Sequence, residues 1–537
     1  MEKRVTMAVV STDGNPVAPT GPRTAADVVT PALIARLTRD VIGTGRASTR
    51  TPLTGEPLAE LPESSPADVT AAFRRARDAQ EAWAATPVAR RAEVLLRFHD
   101  LVLDAQDEVL DLIQVETGKT RLHAHEEIQG ALGTARHYGR RAAAYLKPRR
   151  HRGVVPMLTR VVELRRAKGV VGQIVPWNYP LALAVGDALP AFAAGNAVVT
   201  KPDTQTALTV LWARERLVEA GLPEGVWQIV LGDGPVVGGA VIAHADHVTF
   251  TGSTATGRLV AKQAADRLVG VSLELGGKNA LLVLEDADLD RAAEGAVRAC
   301  FTSAGQLCES VERLYVHESV ADAFLDRFLA RTKALSLGSG LGYGAHIGSL
   351  AGPRQLEAVT RHVDEAVAKG ATVLAGGHHR PDVGPYFYEP TVLDGVQPSM
   401  AVYGEETFGP VVSVYRFADE GEALALANAT SYGLNSSVWG RDTRRAGILA
   451  GRLRTGSVNV NEAYAAAYGS VQAPHGGMGD SGLGRRNGAE GILRYTEAQT
   501  VATQRLIPLG PSRGMDDASY AALMSRVLGA MKTFRLR

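Results

Sequence analysis

From Val161 onward, segments of strand character and segments of helical character take turns, and that alternation leaves few folds open. "VVELRRAKGVVGQIVPW" and "GNAVVTKP" read as strands, and "TALTVLWARERLVEAGLPEG" reads as a helix. "VWQIVLGDG" is a strand before the helix "GPVVGGAVIAH", and "HVTFTGS" is a strand before the helix "TGRLVAKQAADRL". Strands separated by helices cannot close as hairpins; they must cross over and run parallel, which predicts a parallel sheet wrapped by helices. A second α/β block, from about Asn279 to Asn461, includes the strands "ATVLAGG" and "VVSVYRF". No internal repeat and no long low-complexity linker interrupts the pattern.

Before this alternation the chain reads as helical, from Pro66 to about Leu146. "SPADVTAAFRRARDAQEAWAA" opens on Ser-Pro with an Asp in the first turn, and apolar residues then recur every three or four positions. The next helical run stops at Gly118. The long apolar window "LALAVGDALPAFAAGNAVV" is broken by Asp187, Pro190 and Asn196, so it is expected to be a buried helix running into a strand rather than a membrane span. At 537 residues the chain exceeds one hydrophobic core, and two or three domains are expected. A formal net charge of +1 points to neither nucleic acid nor an anionic membrane. Two cysteines, Cys300 and Cys308, form no disulfide framework, and a reducing cytoplasm is expected. Near the N-terminus, Ser11, Asp13 and Asn15 interrupt the apolar patch after Lys3 and Arg4, unlike a secretory signal. Residues 1 to about 30 are expected to be poorly ordered. The tail "MDDASYAALMSRVLGAMKTFR" reads as a helix with Tyr520, Leu523, Val527, Met531 and Phe534 on one face, expected to pack on the body or on a sister subunit.

The stretch "FTSAGQLCES" places Cys308 after Ala304-Gly305-Gln306-Leu307. A lone cysteine is usually a small core residue, but four other segments supply what a thiol attacking a carbonyl needs. In "VPWNYP", Asn178 could donate to an oxyanion together with the Cys308 N–H; the plainer reading is a turn asparagine. In "SLELGGKN", Glu274 lies in an apolar strand, where partial desolvation would raise its carboxyl toward a general base's range; the alternative is a salt bridge to Lys278. "FTGSTATG" and "LGDGPVVGG" are strand-to-helix junctions whose free N–H groups suit a phosphate, each weak alone. In "EETFGPVVSV", an acidic pair beside Phe408 could hold a ribose diol, or could be a solvated turn.

Taken together with "GNAVVTKPD" and "GGMGDSGLGRRNG", these segments resemble, in order and spacing, the NAD(P)-dependent aldehyde dehydrogenase superfamily, from about Thr51 to Leu506. Within it the chain looks most like NADP-type succinate-semialdehyde dehydrogenases. The resemblance implies an α/β aldehyde dehydrogenase fold with a Rossmann-like cofactor domain (47–148 and 168–276), an α/β catalytic domain (277–494) and a small β oligomerisation element (149–167 and 495–509). An N-terminal extension (1–46) and a C-terminal helical tail (510–537) flank them. It implies Cys308 as nucleophile, Asn178 as oxyanion donor and Glu274 as the base that activates water, giving a free carboxylate rather than acyl transfer to coenzyme A. Pro176, Trp177, Lys201, Thr204, Gly234, Gly252, Ser253, Leu275, Glu406 and Phe408 are the implied cofactor residues. Relatives that prefer NAD often carry Glu where this chain has Thr204, so NADP is expected to be preferred or accepted, with NAD possible. No metal is expected. The implied assembly is a homodimer or homotetramer. A CoA-acylating or phosphorylating dehydrogenase and a catalytically silent relative are the competing readings, opposed by Glu274 and by the intact Cys308, Glu274 and Asn178 set.

The sequence also departs from the family pattern. Asp187 stands where many members have Lys, and Arg486 where many have Glu; a charge-reversed pair is expected. The arginines that meet the substrate carboxylate in better-known succinate-semialdehyde dehydrogenases are replaced by Gly186 and Thr302, so a bulkier uncharged aldehyde is the alternative substrate. Tyr179, Tyr464, Tyr468 and His475 are expected to line the substrate tunnel, His475 either protonated against a carboxylate or neutral. Cys300 is expected to pack in a helix, and Ser310 rules out a disulfide between Cys308 and that position.

Overall fold

The computed structural model describes residues 23–154, 159–504, 509–512 and 514–533. Helices Pro66–Ala85, Val88–Asp104, Gln106–Thr117 and Arg121–Leu146 form a layer against the first sheet. Ser65 caps the first of them with a reciprocal Ser65–Asp68 box, and Gly118 ends the third at φ +77°, a conformation that favours glycine. The Ala25–Val28 turn lies inside the stretch expected to lack order. Arg23, 2.6 Å from the buried Asp111, and a Thr24–Asp27 capping box hold it, local bonds that composition does not reveal. Residues 1–22 lie outside the described residues.

The first sheet carries five parallel strands in the order Gly270–Glu274, His247–Thr251, Val170–Val175, Ala197–Pro202 and Trp227–Ile229, with the short antiparallel Gly482–Leu483 on the Gly270–Glu274 edge. From Val170–Val175 the chain builds outward on one side and then returns to build on the other. The carboxyl ends of the two strands at that reversal open a crevice, the usual place for a ligand in such a sheet. The run read from Val161 to Trp177 divides at Gly169, where φ is +127°. Residues before it, Thr159–Ala167, join a separate sheet, and residues after it join the parallel one. The expected helix at Gly234 begins with one π turn, Gly234–Gly238, before Gly239–His244.

The second sheet has seven strands, in the order Thr372–Ala375, Thr391–Asp394, Val411–Phe417, Val311–His317, Asn279–Val283, Asn435–Trp439 and Ser457–Val460. All pairs are parallel except the first, and apolar clusters cover both faces. Burial on both faces explains why strands such as Asn279–Val283 read as continuous apolar runs. The small third sheet pairs Thr496–Gln504 with Thr159–Ala167 over their whole length and adds Arg149–His151.

The apolar window of the sequence is the helix Pro180–Ala193, buried throughout except at Gly186. Among the described residues no helix is long and apolar enough to cross a membrane. The tail forms the helix Asp517–Thr533 as expected, but none of its described residues is buried, so the packing expected of its apolar face is not met within one chain. Phe534 lies outside the described residues.

Candidate active site

The helix Leu289–Phe301, which buries Cys300 completely, delivers the chain to a loop of unusual backbone. Ser303, Ala304 and Gly305 follow one another at φ 52°, 55° and 71°. Only glycine occupies that region without strain, and strain of this kind persists where surrounding contacts impose it. The contacts are specific. Ser303 N donates to His123 Nδ1 (3.1 Å), Ala351 N donates to Gln306 Oε1 (2.8 Å), and Asn279 Nδ2 donates to the Cys308 carbonyl (2.8 Å). A Cβ on Gly305 would stand 2.0 Å from the Gly409 carbonyl oxygen, so the close approach requires glycine. The result is a fixed, partly exposed Cys308 that opens into two cavities, one of about 380 Å³ and one of about 240 Å³.

The smaller cavity is the crevice at the sheet's reversal. It is lined by Pro176, Trp177, Asn178, Gly252, Ser253, Glu274, Leu275, Glu406 and Phe408, each of them a residue singled out in the sequence. Glu406 Oε1 accepts from Gly277 N (2.8 Å), and a Cβ on Gly276 would meet Glu406 Oε2 at 2.2 Å. Burial and the nearby Glu312 push the Glu406 carboxyl up to about 8. Trp177 and Phe408 meet edge to face at 5.6 Å. Lys201, Thr204 and Gly234 do not line this cavity; they sit at or just beyond the ends of the neighbouring strands Ala197–Pro202 and Trp227–Ile229. Thr204 Oγ1 lies 3.5 Å from the Gly232 carbonyl, and burial lowers the Lys201 ammonium. A Cβ on Gly234 would meet nothing within 4 Å, so open space adjoins it.

Asn178 is buried, and its Nδ2 donates one hydrogen to the Gln306 carbonyl (3.0 Å), leaving its second amide hydrogen for another acceptor. Its position is imposed from the helical layer. Lys119 Nζ reaches the Asn178 carbonyl (2.6 Å) and Glu127 (2.6 Å), and lies 3.5 Å over the Tyr179 ring. Glu127 in turn accepts from Leu181 N (3.0 Å) at the start of the helix that follows.

Glu274 ends its strand with Oε1 buried and without a hydrogen-bond partner. It does not pair with Lys278, which is bound instead to Glu312 at 2.5 Å. Glu312 also accepts from the backbone N–H of Thr407 and Phe408, fixing the loop that carries Glu406. Burial pushes the Glu274 carboxyl up to about 7, with Arg486 and Arg494 limiting the rise. Those arginines belong to a cluster beside it. Arg486 grips Asp187 with two hydrogen bonds (2.9 and 2.7 Å), Arg494 bonds the same carboxylate, and Thr249 Oγ1 donates at 2.7 Å. The expected Asp187–Arg486 pair is present, and Arg494 makes it a triad. Burial alone would raise Asp187, but the two guanidiniums hold it well below the usual carboxylate range.

The larger cavity is lined by Tyr179, Tyr464, Tyr468 and His475, the four residues expected there. Tyr179 Oη bonds Ser303 Oγ (2.7 Å), Tyr464 Oη donates to Glu126 (3.0 Å), and Tyr468 meets His475 edge to face at 5.6 Å. Of the two states open to His475, burial favours the neutral one. Burial, with Arg486 and Arg485 adding to it, lowers the imidazole to about 4, so it is neutral at physiological pH. It offers no cation to a substrate carboxylate. Glu309 also lines this cavity, one residue after Cys308.

The family model described as "Aldehyde dehydrogenase family" matches residues 42–501. The chain belongs to the aldehyde dehydrogenase family. A protein of Mycolicibacterium smegmatis named "Putative succinate-semialdehyde dehydrogenase [NADP(+)]" is 49% identical over 479 residues, covering 89% of this chain and 93% of that protein. A glutarate-semialdehyde dehydrogenase of Pseudomonas aeruginosa is 37% identical, covering 83% and 92%. Among solved structures, an NADP-dependent enzyme of E. coli is similar at a TM-score of 0.83 and 33% identity, covering 88% of this chain and 99% of its own. Betaine aldehyde dehydrogenase of Staphylococcus aureus, solved with NAD+, is similar at 0.83 and 30% identity, covering 89% and 98%.

Within this aldehyde dehydrogenase, sequence reasoning missed Lys119, Glu127, Glu312, Arg494 and Glu309. The first four act on the site from other elements, and no local pattern marks them. Glu309 did carry a signal, an acidic residue between a nucleophile candidate and an apolar strand.

Proposed function

We propose that this chain oxidises succinate semialdehyde to succinate through a thioester on Cys308, with NADP as the preferred hydride acceptor and NAD possible. The observation that carries the reading is the place of Cys308, on the boundary between the two cavities and beside both Asn178 and Glu274. The aldehyde enters from the larger cavity. The Cys308 sulfur forms a bond to the carbonyl carbon, and the carbonyl oxygen becomes an oxyanion that takes the free Asn178 amide hydrogen and the Cys308 N–H. The thiol must first lose its proton. Burial, then Glu309 and Glu274, push its pKa up, so an unaided thiolate is disfavoured, and the unpaired Glu274 is the group placed to accept the proton. When bound, the nicotinamide supplies an acceptor for the hydride that leaves the carbon. Glu274 releases the thiol proton to solvent and then takes a proton from water, the water oxygen bonds to the thioester carbon as the sulfur leaves as thiolate, and a free acid departs.

What supports a dinucleotide in the smaller cavity is its chemistry. Within it Ser253 opens the helix Thr254–Asp266 and Glu406 offers a carboxyl group for a ribose diol, and beyond its lining open space adjoins Gly234. A neutral Thr204 beside Lys201 favours NADP, because a carboxylate there would repel a 2′-phosphate. The named relative of Mycolicibacterium smegmatis, about half identical, supports both the substrate and the cofactor. A second reading, an uncharged larger aldehyde, is favoured by the size of the larger cavity and its lining by Gly130, Gly133, Gly186 and Ala465.

The proposal extends to the domain division expected from the sequence and to assembly through the third sheet. Its strand Thr496–Gln504 is exposed after Thr496, an edge suited to pairing with a second copy in a dimer or dimer of dimers. Turnover in the cytoplasm fits the two free cysteines.

The test is a panel of aldehydes with NADP and NAD, followed by reduced-cofactor absorbance. Succinate semialdehyde should give the highest kcat/KM, NADP should be at least as good as NAD, and Cys308→Ala should lose turnover. A higher kcat/KM for uncharged aldehydes selects the second reading. Dependence on added coenzyme A or phosphate would overturn the hydrolytic one.

A further inference from the structure

Glu309 is 1% exposed, lines the aldehyde cavity, and leaves both side-chain oxygens buried without a hydrogen bond. Its backbone carbonyl is held by Asn435 Nδ2 (3.1 Å), so the residue is fixed while its carboxyl group is not satisfied. Among the described residues its one ion-pair candidate is His475, whose Nε2 lies 3.3 Å from Oε1 without hydrogen-bond geometry, and whose Nδ1 is engaged with Ser457 Oγ at 3.2 Å. The other titratable groups facing it are Cys308, Glu274 and Tyr468; Arg486, which faces Glu274 and His475, is committed to Asp187. An ionised carboxylate in such surroundings is costly, and the group lowers that cost by keeping its proton. Consistent with this, burial and then Glu274 push the Glu309 carboxyl up to about 8. A protonated carboxyl is a donor, and an O–H donating to a carboxylate is among the stronger hydrogen bonds.

The cavity therefore holds an unused donor one residue from the nucleophile, in a chain without arginine at positions 186 and 302; of the arginines that line the cavity, Arg486 is bound to Asp187, Arg298 is paired with Glu462, and Arg136 is exposed. We propose that Glu309, in its protonated form, is a specificity-determining residue that donates a hydrogen bond to the carboxylate of an ω-semialdehyde whose carbonyl lies at Cys308. The inference rests on the substrate reading above. Its consequence is a pH-dependent preference. Above about pH 8 Glu309 ionises, two carboxylates then face each other, and the anionic aldehyde is rejected, while a neutral aldehyde of the same length is spared that repulsion.

The experiment measures kcat/KM for succinate semialdehyde and for butanal between pH 6 and 9.5 in the wild type, Glu309→Gln and Glu309→Leu. The wild-type ratio of the two should fall, approaching about tenfold per pH unit well above the Glu309 pKa. Glu309→Gln retains a neutral donor, so it should keep a high ratio at pH 7 and abolish the fall. Glu309→Leu should lower the ratio at pH 7 at least about tenfold, mainly through KM. Succinate as an inhibitor of butanal oxidation gives a readout without semialdehyde turnover, and should weaken in the Leu variant but not in the Gln variant. An equal loss on both aldehydes in both variants would make Glu309 a proton acceptor and overturn the proposal. A ratio that rises in both variants would mark it as a repelling anion and overturn it as well, as would a ratio unchanged in both. A wild-type ratio at or below one across the whole range would sink the substrate reading itself. A wild-type ratio above one that survives in the Leu variant would sink only the role of Glu309.

Discussion

Two groups of buried acids lie side by side in this molecule, and they are in opposite states. Asp187 is 3% exposed and Glu274 is 6% exposed, so burial does not separate them. What separates them is hydrogen bonds: Asp187 accepts from two guanidiniums and a hydroxyl, while Glu274 Oε1 and both oxygens of Glu309 accept none. Asp187 is therefore an anion held for structure, and the carboxyls around Cys308 are poised to hold or release a proton. A buried acid becomes useful for catalysis when the protein withholds the hydrogen bonds that would fix its charge.

The largest effect should follow from removing the poised group. Glu274→Gln should lower kcat by about 10²–10⁴-fold and suppress the rapid burst of reduced cofactor as well, because both the thiol deprotonation before acylation and the later water activation use this carboxylate. A rapid-mixing experiment that keeps a full burst in Glu274→Gln would show that another group takes the thiol proton.

Breaking the structural group should cost stability instead. Asp187→Ala strands Arg486 and Arg494 without their anion and should destabilise by about 3–5 kcal/mol in chemical denaturation. Asp187→Lys should damage activity or stability, and adding Arg486→Glu should restore part of the loss. Arg494, which would then face Lys at position 187, limits that recovery. A double-mutant cycle with no coupling between positions 187 and 486 would dismantle the triad as an energetic unit.

The two groups should also respond to pH with opposite signs. Asp187 has a folded-state pKa below its unfolded value, so its contribution is present above the unfolded pKa and is lost as pH falls through the folded one. Glu274 has a folded-state pKa of about 7, above the usual 4.5. Between those values the folded state holds a proton that the unfolded chain has released, and stability falls as pH rises through that window. Glu274→Gln should remove that fall and stabilise the protein at pH 8 by roughly 1–3 kcal/mol relative to pH 5. Over the same range wild-type turnover should rise as pH passes about 7, because the base must be ionised to act. A stability curve with the same slope in wild type and Glu274→Gln would break the comparison. The smallest effect concerns the cofactor: Thr204→Glu should shift the NADP-to-NAD ratio of kcat/KM toward NAD by about tenfold through repulsion of the 2′-phosphate.

The catalytic layout was legible where chemistry is written in contiguous residues. "VPWNYP", "FTGSTATG" and "LELGGKN" each end a strand and "EETFGPV" leads into one, and the crevice collects residues from all four. The pairing of Asp187 with Arg486 was foreshadowed by the family resemblance, through the reversal of two charges at once, but Arg494 was not, since it arrives from the segment leading into the third sheet. Lys119 was illegible because its role consists of contacts with Glu127, Asn178 and Tyr179, and the latter two are about 60 residues away. The state of His475 was also open in the sequence, since the same residue is neutral or charged according to what surrounds it.

By itself, the sequence determined the alternation that forces parallel sheets, and it held the cysteine, amide and carboxylate that the fold brings to one crevice. Both are local properties, fixed by periodicity and by side-chain chemistry. Only the tertiary structure decided which of the buried acids keeps its charge. Protonation depends on the dielectric and on hydrogen-bond partners drawn from distant segments, and those exist only once the chain has folded.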